Sequence, residues 1–283
     1  MTLLLLAACS EQGLEGIRID DVAVVLGDFD DMTTTLTGLD VPTTPFDGFT
    51  VQATYQPEDE RQKRDDGLPS FEGLLTDADE KGRLAIQLYG AVFVNSGARG
   101  LGVGQYNNLL LEDDGIVGDE ELVGRVCSYV ESGGTLVASD WAYDLVERCW
   151  PDAVEFAGDD EAIDGAQLGV ADGGVTATVH EETLKEGLGA TVAIAYDYSA
   201  WAAIESVGAD TEVLLSGTVE YQPSSDAGYE TLSDAPLFVR FPAGSGQVVF
   251  STFHLAAQTK LLSEGLVLYG VEGIDALVGE AAE

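Results

Sequence analysis

Gly133-Gly134-Thr135-Leu136-Val137-Ala138-Ser139-Asp140-Trp141 is the stretch on which the fold reading turns. Two glycines stop a helix, a short apolar run fits a buried strand, and a carboxylate beside an aromatic marks an abrupt exit into a new helix. Upstream, Asp119 to Ser132 carries Leu122, Val123, Val126, Tyr129 and Val130 at the spacing of an amphipathic helix. Downstream, Trp141 to Cys149 reads as the next helix, closed by Pro151. Helix, strand, sharp turn and helix in succession point to parallel strands with crossover helices. In such sheets, crevices form at the carboxyl ends of the strands.

The rest of the first half extends this pattern. Asp20 to Leu26 is a continuous apolar run ending at Gly27-Asp28, as expected of a central strand covered on both faces. A helix is expected over Asp30 to Leu39, capped by Asp30 or Asp31 and stopped by Pro42 and Pro45. Phe49 to Tyr55 alternates as a second strand, Gln56 to Gly67 is a charged loop, and Leu84 to Leu88 is a short helix. Ala91 to Val94 is another buried strand, ending in Asn95-Ser96-Gly97 and a glycine-rich loop to Gly104. After that the character changes. Val175 to Val179, Thr191 to Tyr196 and Glu212 to Tyr221 read as strands. Pro236 to Phe241 and Gln247 to Phe250 flank a glycine turn as a hairpin, and Leu255 to Val271 reads as a terminal helix. The expected fold class is an α/β three-layer sandwich, with a mainly parallel central sheet and antiparallel additions in the C-terminal half. No linker or repeat divides residues 20–283, which are expected to form one domain.

Charge excludes some partners. The 283 residues hold 51 acidic and 12 basic side chains, a formal charge of −39. Such a polyanion is repelled by nucleic acid and by anionic membrane surfaces. The densest basic cluster, Arg61, Lys63 and Arg64, lies among Glu58, Asp59, Glu60, Asp65 and Asp66. Only His180 and His254 could offer imidazole, so no zinc centre is expected. Asp77-Ala78-Asp79-Glu80-Lys81-Gly82 begins like a calcium loop, but Leu88 stands where the bidentate Glu belongs. Asp28, Asp30 and Asp31 serve as helix caps as readily as cation ligands. No metal and no cofactor is expected.

At the N-terminus, Leu3 to Leu6 form an apolar run followed by Ala7-Ala8-Cys9-Ser10. Leu-Ala-Ala-Cys resembles the lipobox of bacterial lipoproteins, which implies lipidation of Cys9, with residues 1–19 as signal and tether. Membrane attachment is then expected by lipid alone, in the cell envelope, periplasmic or surface-exposed. Cys127 and Cys149 remain as an even pair, open to a disulfide or to two buried thiols.

The elbow reads Ala138-Ser139-Asp140-Trp141-Ala142, and a later segment reads Thr252-Phe253-His254-Leu255-Ala256. Together with the Asn95-Ser96-Gly97 turn, these are similar to the motifs of the class I glutamine amidotransferase-like, or flavodoxin-like, fold. That family has a Gly-x-Cys-x-Gly elbow, a Phe-His-Pro-Glu motif and a glycine-rich oxyanion turn. The resemblance, over roughly Val22 to Gly270, implies a site at Asp140 and His254, with Asn95, Ser96, Gly97 and Trp141 as binding residues. Asp140 replaces the family's cysteine nucleophile and Ala256 stands in place of its orienting Glu, so glutaminase chemistry is not expected.

Two functions follow as expectations. The first is a non-catalytic extracytoplasmic lipoprotein, a binding or scaffold module for an envelope protein or small ligand. The second is a hydrolase using an Asp140/His254 dyad. Against the dyad stands a structural role in which Asp140 caps the following helix and His254 fills a turn. Trp141, Tyr143, Tyr196, Tyr198 and Trp201 are expected either to line a crevice or to pack in the core.

Overall fold

A computed structural model of the chain describes residues 22–48, 67–98, 101, 115–157, 169–170, 174–222 and 228–270. Cys9, the Phe49–Tyr55 strand and most of the two expected loops lie outside them.

The central strands are β1 (Val22–Val25), β2 (Thr43–Phe46), β3 (Ala91–Val94) and β4 (Thr135–Ser139). Shorter or later strands are β5 (Val154–Phe156), β6 (Gly169–Val170), β7 (Val175–Val179), β8 (Thr191–Ile194) and β9 (Ile204–Val207). The last three are β10 (Glu212–Tyr221), β11 (Glu230–Ala243) and β12 (Gly246–Ser251). Ten strands form one sheet in the order β2-β1-β3-β4-β12-β11-β10-β7-β8, with β6 beside β10. β2, β1, β3, β4 and β12 run parallel, and every pairing from β12 outward to β8 is antiparallel. This is the α/β arrangement with antiparallel C-terminal additions. The chain reaches β11 first and returns through the Gly244 turn to place β12 against β4, so the terminal hairpin joins the two regimes.

Alternation inside the apolar runs supplies both faces. Val22, Val24, Phe93, Val137 and Val249 pack with Leu36 of α1 (Thr33–Gly38), Leu184 of α5 (Glu182–Leu188) and Leu262 and Leu266 of α6 (Lys260–Gly270). Ala23, Val25, Val92, Leu136, Ala138 and Phe250 pack on the other side. There they meet Leu74 of α2 (Phe71–Thr76), Val126 of α3 (Glu120–Glu131) and Leu145 of α4 (Tyr143–Cys149). A strand read as uniformly apolar is therefore one whose every residue meets a helix layer.

Local chemistry explains where elements stop. Asp119 caps α3 by accepting from the backbone N–H groups of Glu121 and Leu122. Ser70 does the same for α2 through Gly73. Pro45 lies within a strand rather than beyond a helix, which is tolerated because β2 is the sheet's edge. The terminal helix starts at Lys260 rather than Leu255, and the N–H groups of Leu255 and Ala256 are held by Asp30 in the turn before it.

Cys127 in α3 and Cys149 in α4 are joined by a disulfide spanning a sequence separation of 22. Reducing it is expected to lower unfolding stability by about 3 kcal/mol, the chain-entropy cost of releasing a loop of this length. Denaturation with and without reductant measures this, and Cys127→Ala/Cys149→Ala should reproduce the reduced value.

Candidate functional site

Register brings the site together. Val25, Val94, Ala138 and Phe250 are aligned across four parallel strands, so the residues that follow them emerge side by side at the carboxyl edge. Asp30 follows β1, Ser96 follows β3, Ser139 ends β4, and His254 follows β12.

Asp140 leaves β4 with φ 44°, a left-handed conformation that Asp tolerates better than most residues. This bend starts a short 3-10 turn, Asp140–Ala142, from which α4 continues. The Asp140 side chain does not cap that helix: neither the 3-10 turn nor α4 has a side-chain cap. The left-handed bend instead turns the carboxylate inward. Its Oδ1 accepts the Ala202 N–H at 2.8 Å. Its Oδ2 accepts the Ser96 hydroxyl at 3.2 Å and lies 3.1 Å from His254 Nε2. On the far side of the ring, His254 Nδ1 lies 2.7 Å from Asp197 Oδ1. The imidazole is thus held between two carboxylates. Gln258 anchors the turn, donating from Nε2 to the carbonyls of His254 and Ala195.

A third carboxylate lies behind. Asp30 Oδ2 accepts the Ser139 hydroxyl at 2.8 Å and the Leu255 N–H at 3.1 Å, and its Oδ1 accepts the Ala256 N–H at 3.0 Å. Asp31 is the residue that supports the start of α1, accepting the Thr33 N–H. Asp79 of the calcium-like turn pairs with Arg83 and accepts from the backbone of Lys81 and Arg83. Among the described residues, no group of three or more His, Cys, Asp or Glu could hold a metal.

Burial sets the protonation. Asp140 is 1% exposed and His254 3%. Burial disfavours a charged imidazole, but the hydrogen bonds from Asp140 and Asp197 and the charges of Asp140 and Asp30 outweigh it. The His254 pKa is pushed up to about 10. Burial also raises the carboxyls of Asp30 and Asp140 above their ordinary range, with the His254 charge working against it. A ring held as imidazolium at neutral pH donates from both nitrogens to the flanking carboxylates and has no lone pair with which to serve as a base.

The expected binding residues are placed as follows. Asn95 and Ser96 are buried, and the Ser96 N–H donates to Ser139 Oγ rather than to an open hole. Gly97 closes the turn at φ 80°, where an added Cβ would lie 2.7 Å from the Phe29 ring and 2.8 Å from the Asp28 nitrogen. Gly97→Ala is therefore expected to cost about 2 kcal/mol from a strained backbone and the clash, measurable as a shift in the urea midpoint. Trp141 is half-buried, its ring 6.1 Å from Phe29. Phe29 in turn contacts Tyr198 at 4.8 Å, and Tyr198 lies 5.3 Å from the His254 ring. Tyr143 and Trp201 are core residues, Trp201 stacking on Tyr196 at 4.2 Å. Asp140, Tyr196, Asp197, Tyr198, Trp201, Thr252, Phe253 and His254 line a narrow recess with room for about one water, about 10 Å³.

Two residues of this array were not singled out in the sequence for their place in it, Asp197 and Asp30. The signal for Asp197 was Tyr196-Asp197-Tyr198 directly after a strand, an acid between two rings. Asp30 carried no signal that set it apart from Asp28 and Asp31.

No family model and no curated protein matches the sequence. Several solved structures are similar in fold. A candidate GMP synthase protein from Thermoplasma acidophilum shares 11% identity at TM-score 0.46, covering 93% of this chain and 94% of its own. A candidate ThuA-like protein from Bacteroides uniformis shares 11% at TM-score 0.49, covering 88% and 89%. PurLQS from Thermotoga maritima shares 9% at TM-score 0.48, covering 92% and 98%.

Proposed function

We propose that this chain is a non-catalytic binding or scaffold module on a degenerate amidotransferase-like fold, held in the cell envelope by a lipid on Cys9. The observation that carries the reading is the buried array Asp140–His254–Asp197. A nucleophile must meet its substrate, whereas the Asp140 carboxylate is 1% exposed and already accepts from Ala202, Ser96 and His254. Its position at the elbow serves to tie the ends of β3, β4 and β12 to the segment after β8. The Cys127–Cys149 disulfide supports an oxidising compartment. Among the described residues, no helix is long and apolar enough to cross a membrane.

A hydrolase is the second reading, favoured by the left-handed φ of Asp140 and by Asp197 completing a carboxylate–imidazole–carboxylate relay. It requires Asp140 to become accessible. Turnover of ester, amide or alkyl-halide panels that vanishes in Asp140→Asn would establish it and remove the non-catalytic reading. For the anchor, expression in a bacterial host with labelled palmitate should label the wild-type chain and leave Cys9→Ser unlabelled. Equal labelling of both would refute lipidation at Cys9.

A further inference from the structure

The two edges of the large sheet are built differently. At one end β2 carries Pro45. The carbonyl of Phe46 accepts from Leu26, so alternation turns position 45 outward, where proline withholds the donor that an added strand would use. At the other end β8 has no such block. Gly187 to Tyr196 holds no charged side chain, in a chain of which 22% is charged. An edge without charge or proline is open to a further strand.

Hydrogen bonding shows which groups of β8 face away from the sheet. The Val179 N–H donates to the Ala190 carbonyl, and the register sets Ala177 opposite Val192 and Val175 opposite Ile194. Bonded pairs of an antiparallel ladder recur at every second residue. Ala190, Val192 and Ile194 therefore bond to β7, while Thr191, Ala193 and Ala195 turn their N–H and C=O outward. At Ala195 both groups are taken by Gln258, whose Oε1 accepts the N–H and whose Nε2 donates to the carbonyl, each at 2.9 Å. That amide imitates one peptide of a neighbouring strand. Thr191 and Ala193 are exposed and continue the same edge.

Charge selects the occupant. A basic partner is drawn to carboxylates, and this edge offers none. An uncharged edge fits an uncharged strand, and the chain itself supplies one. A two-fold axis through Val192 sets Thr191 of one copy against Ala193 of the other, which gives about four backbone hydrogen bonds. It brings the partly buried Val192 side chains together and opposes no like charges.

We propose that β8 pairs antiparallel with β8 of a second copy, joining two ten-stranded sheets into one. Four residues bury little surface, so the association belongs to the weak class, below about 1,200 Å².

The test is analytical ultracentrifugation of the full chain at rising concentration, in low salt and in roughly 0.5 M NaCl, where repulsion between two polyanions is screened within a few ångströms. The mass should rise from one chain toward two, and further at high salt. Ala193→Pro removes an outward donor and no bond to β7, so it should melt as wild type and remain a single chain. Hydrogen exchange gives a second measure. The Thr191 and Ala193 amides should slow by about tenfold when roughly nine chains in ten are paired, because exchange runs through the free chain. This measure uses wild type and decides the matter if Ala193→Pro does not fold. The proposal is overturned if wild type stays single at every concentration and salt, if a dimer survives Ala193→Pro, or if the two amides exchange at one rate whatever the concentration. Protection of those amides in a chain that stays single would give the edge to another segment of the same chain, and overturns pairing between copies as well.

Discussion

His254→Ala is expected to destabilise the fold by about 3–5 kcal/mol, the cost of leaving a buried charge without its partner. The substitution removes the only cation among Asp140, Asp197 and Asp30, and Asp140 has almost no access to water to compensate. It also removes one of the links between the turn after β12 and the segment after β8, leaving those of Gln258 to Ala195 and Tyr196 to Thr252. Asp140→Asn should cost less. Asn shares the tolerance of Asp for left-handed φ, and its side-chain oxygen can still accept the Ala202 N–H. Urea unfolding of wild type and both variants measures the order. Equal, small losses for both would mean that the array contributes little to the fold.

Stability should fall steeply with alkaline pH. His254 has a folded pKa of about 10 against an ordinary 6.5, so its contribution is complete below about pH 6.5 and is lost as pH rises through about 10. Asp30 and Asp140, raised by burial from an ordinary 3.8, carry the same sign, and their share begins to be lost from that value upward, below the range in which His254 titrates. The His254 share alone is on the order of 4 kcal/mol between these limits. Melting temperature followed from about pH 6 to about pH 10 should decline, and His254→Gln should flatten most of that slope while starting from a lower value. A flat wild-type profile would mean that the imidazole is not held charged.

Much of the architecture was legible because it rests on patterns that single residues carry. The runs Val22–Val25, Ala91–Val94 and Thr135–Ser139 are apolar at nearly every position, since helices cover both faces of the sheet. The glycine turn before β12 marked a hairpin, and Asp119 marked the start of α3. What could not be read was assigned by tertiary contact. β12 belongs to a hairpin locally and to the parallel sheet globally, and only its pairing with β4 shows the second role. Helix α2 is short and its sequence lacks a strong period, so its cap at Ser70 gave little signal. The short β5–β9 ribbon depends on residues far apart in sequence finding each other, as in the pairing of Val154 with Val207.

The site shows the same division. The elbow at Asp140 and the turn at His254 were visible as motifs, and their proximity followed from parallel strands. The destination of the Asp140 carboxylate was not visible. Local propensity makes an Asp before a helix a cap, but the left-handed bend at φ 44° turns it toward Ser96, Ala202 and His254. Asp30 was likewise one of three acids with equal claims, and the fold buries that one beneath Ser139 and the N–H groups of Leu255 and Ala256.

The state of the His254 ring tests the structural role of this array most directly. The chain has only two histidines, so nitrogen-detected NMR of the labelled protein, with His180→Gln for assignment, can follow His254 alone. The buried pair predicts an imidazole protonated on both Nδ1 and Nε2 from about pH 5 to about pH 9. A ring that loses its proton near the ordinary value of about 6.5, free to act as a base at neutral pH, would contradict it.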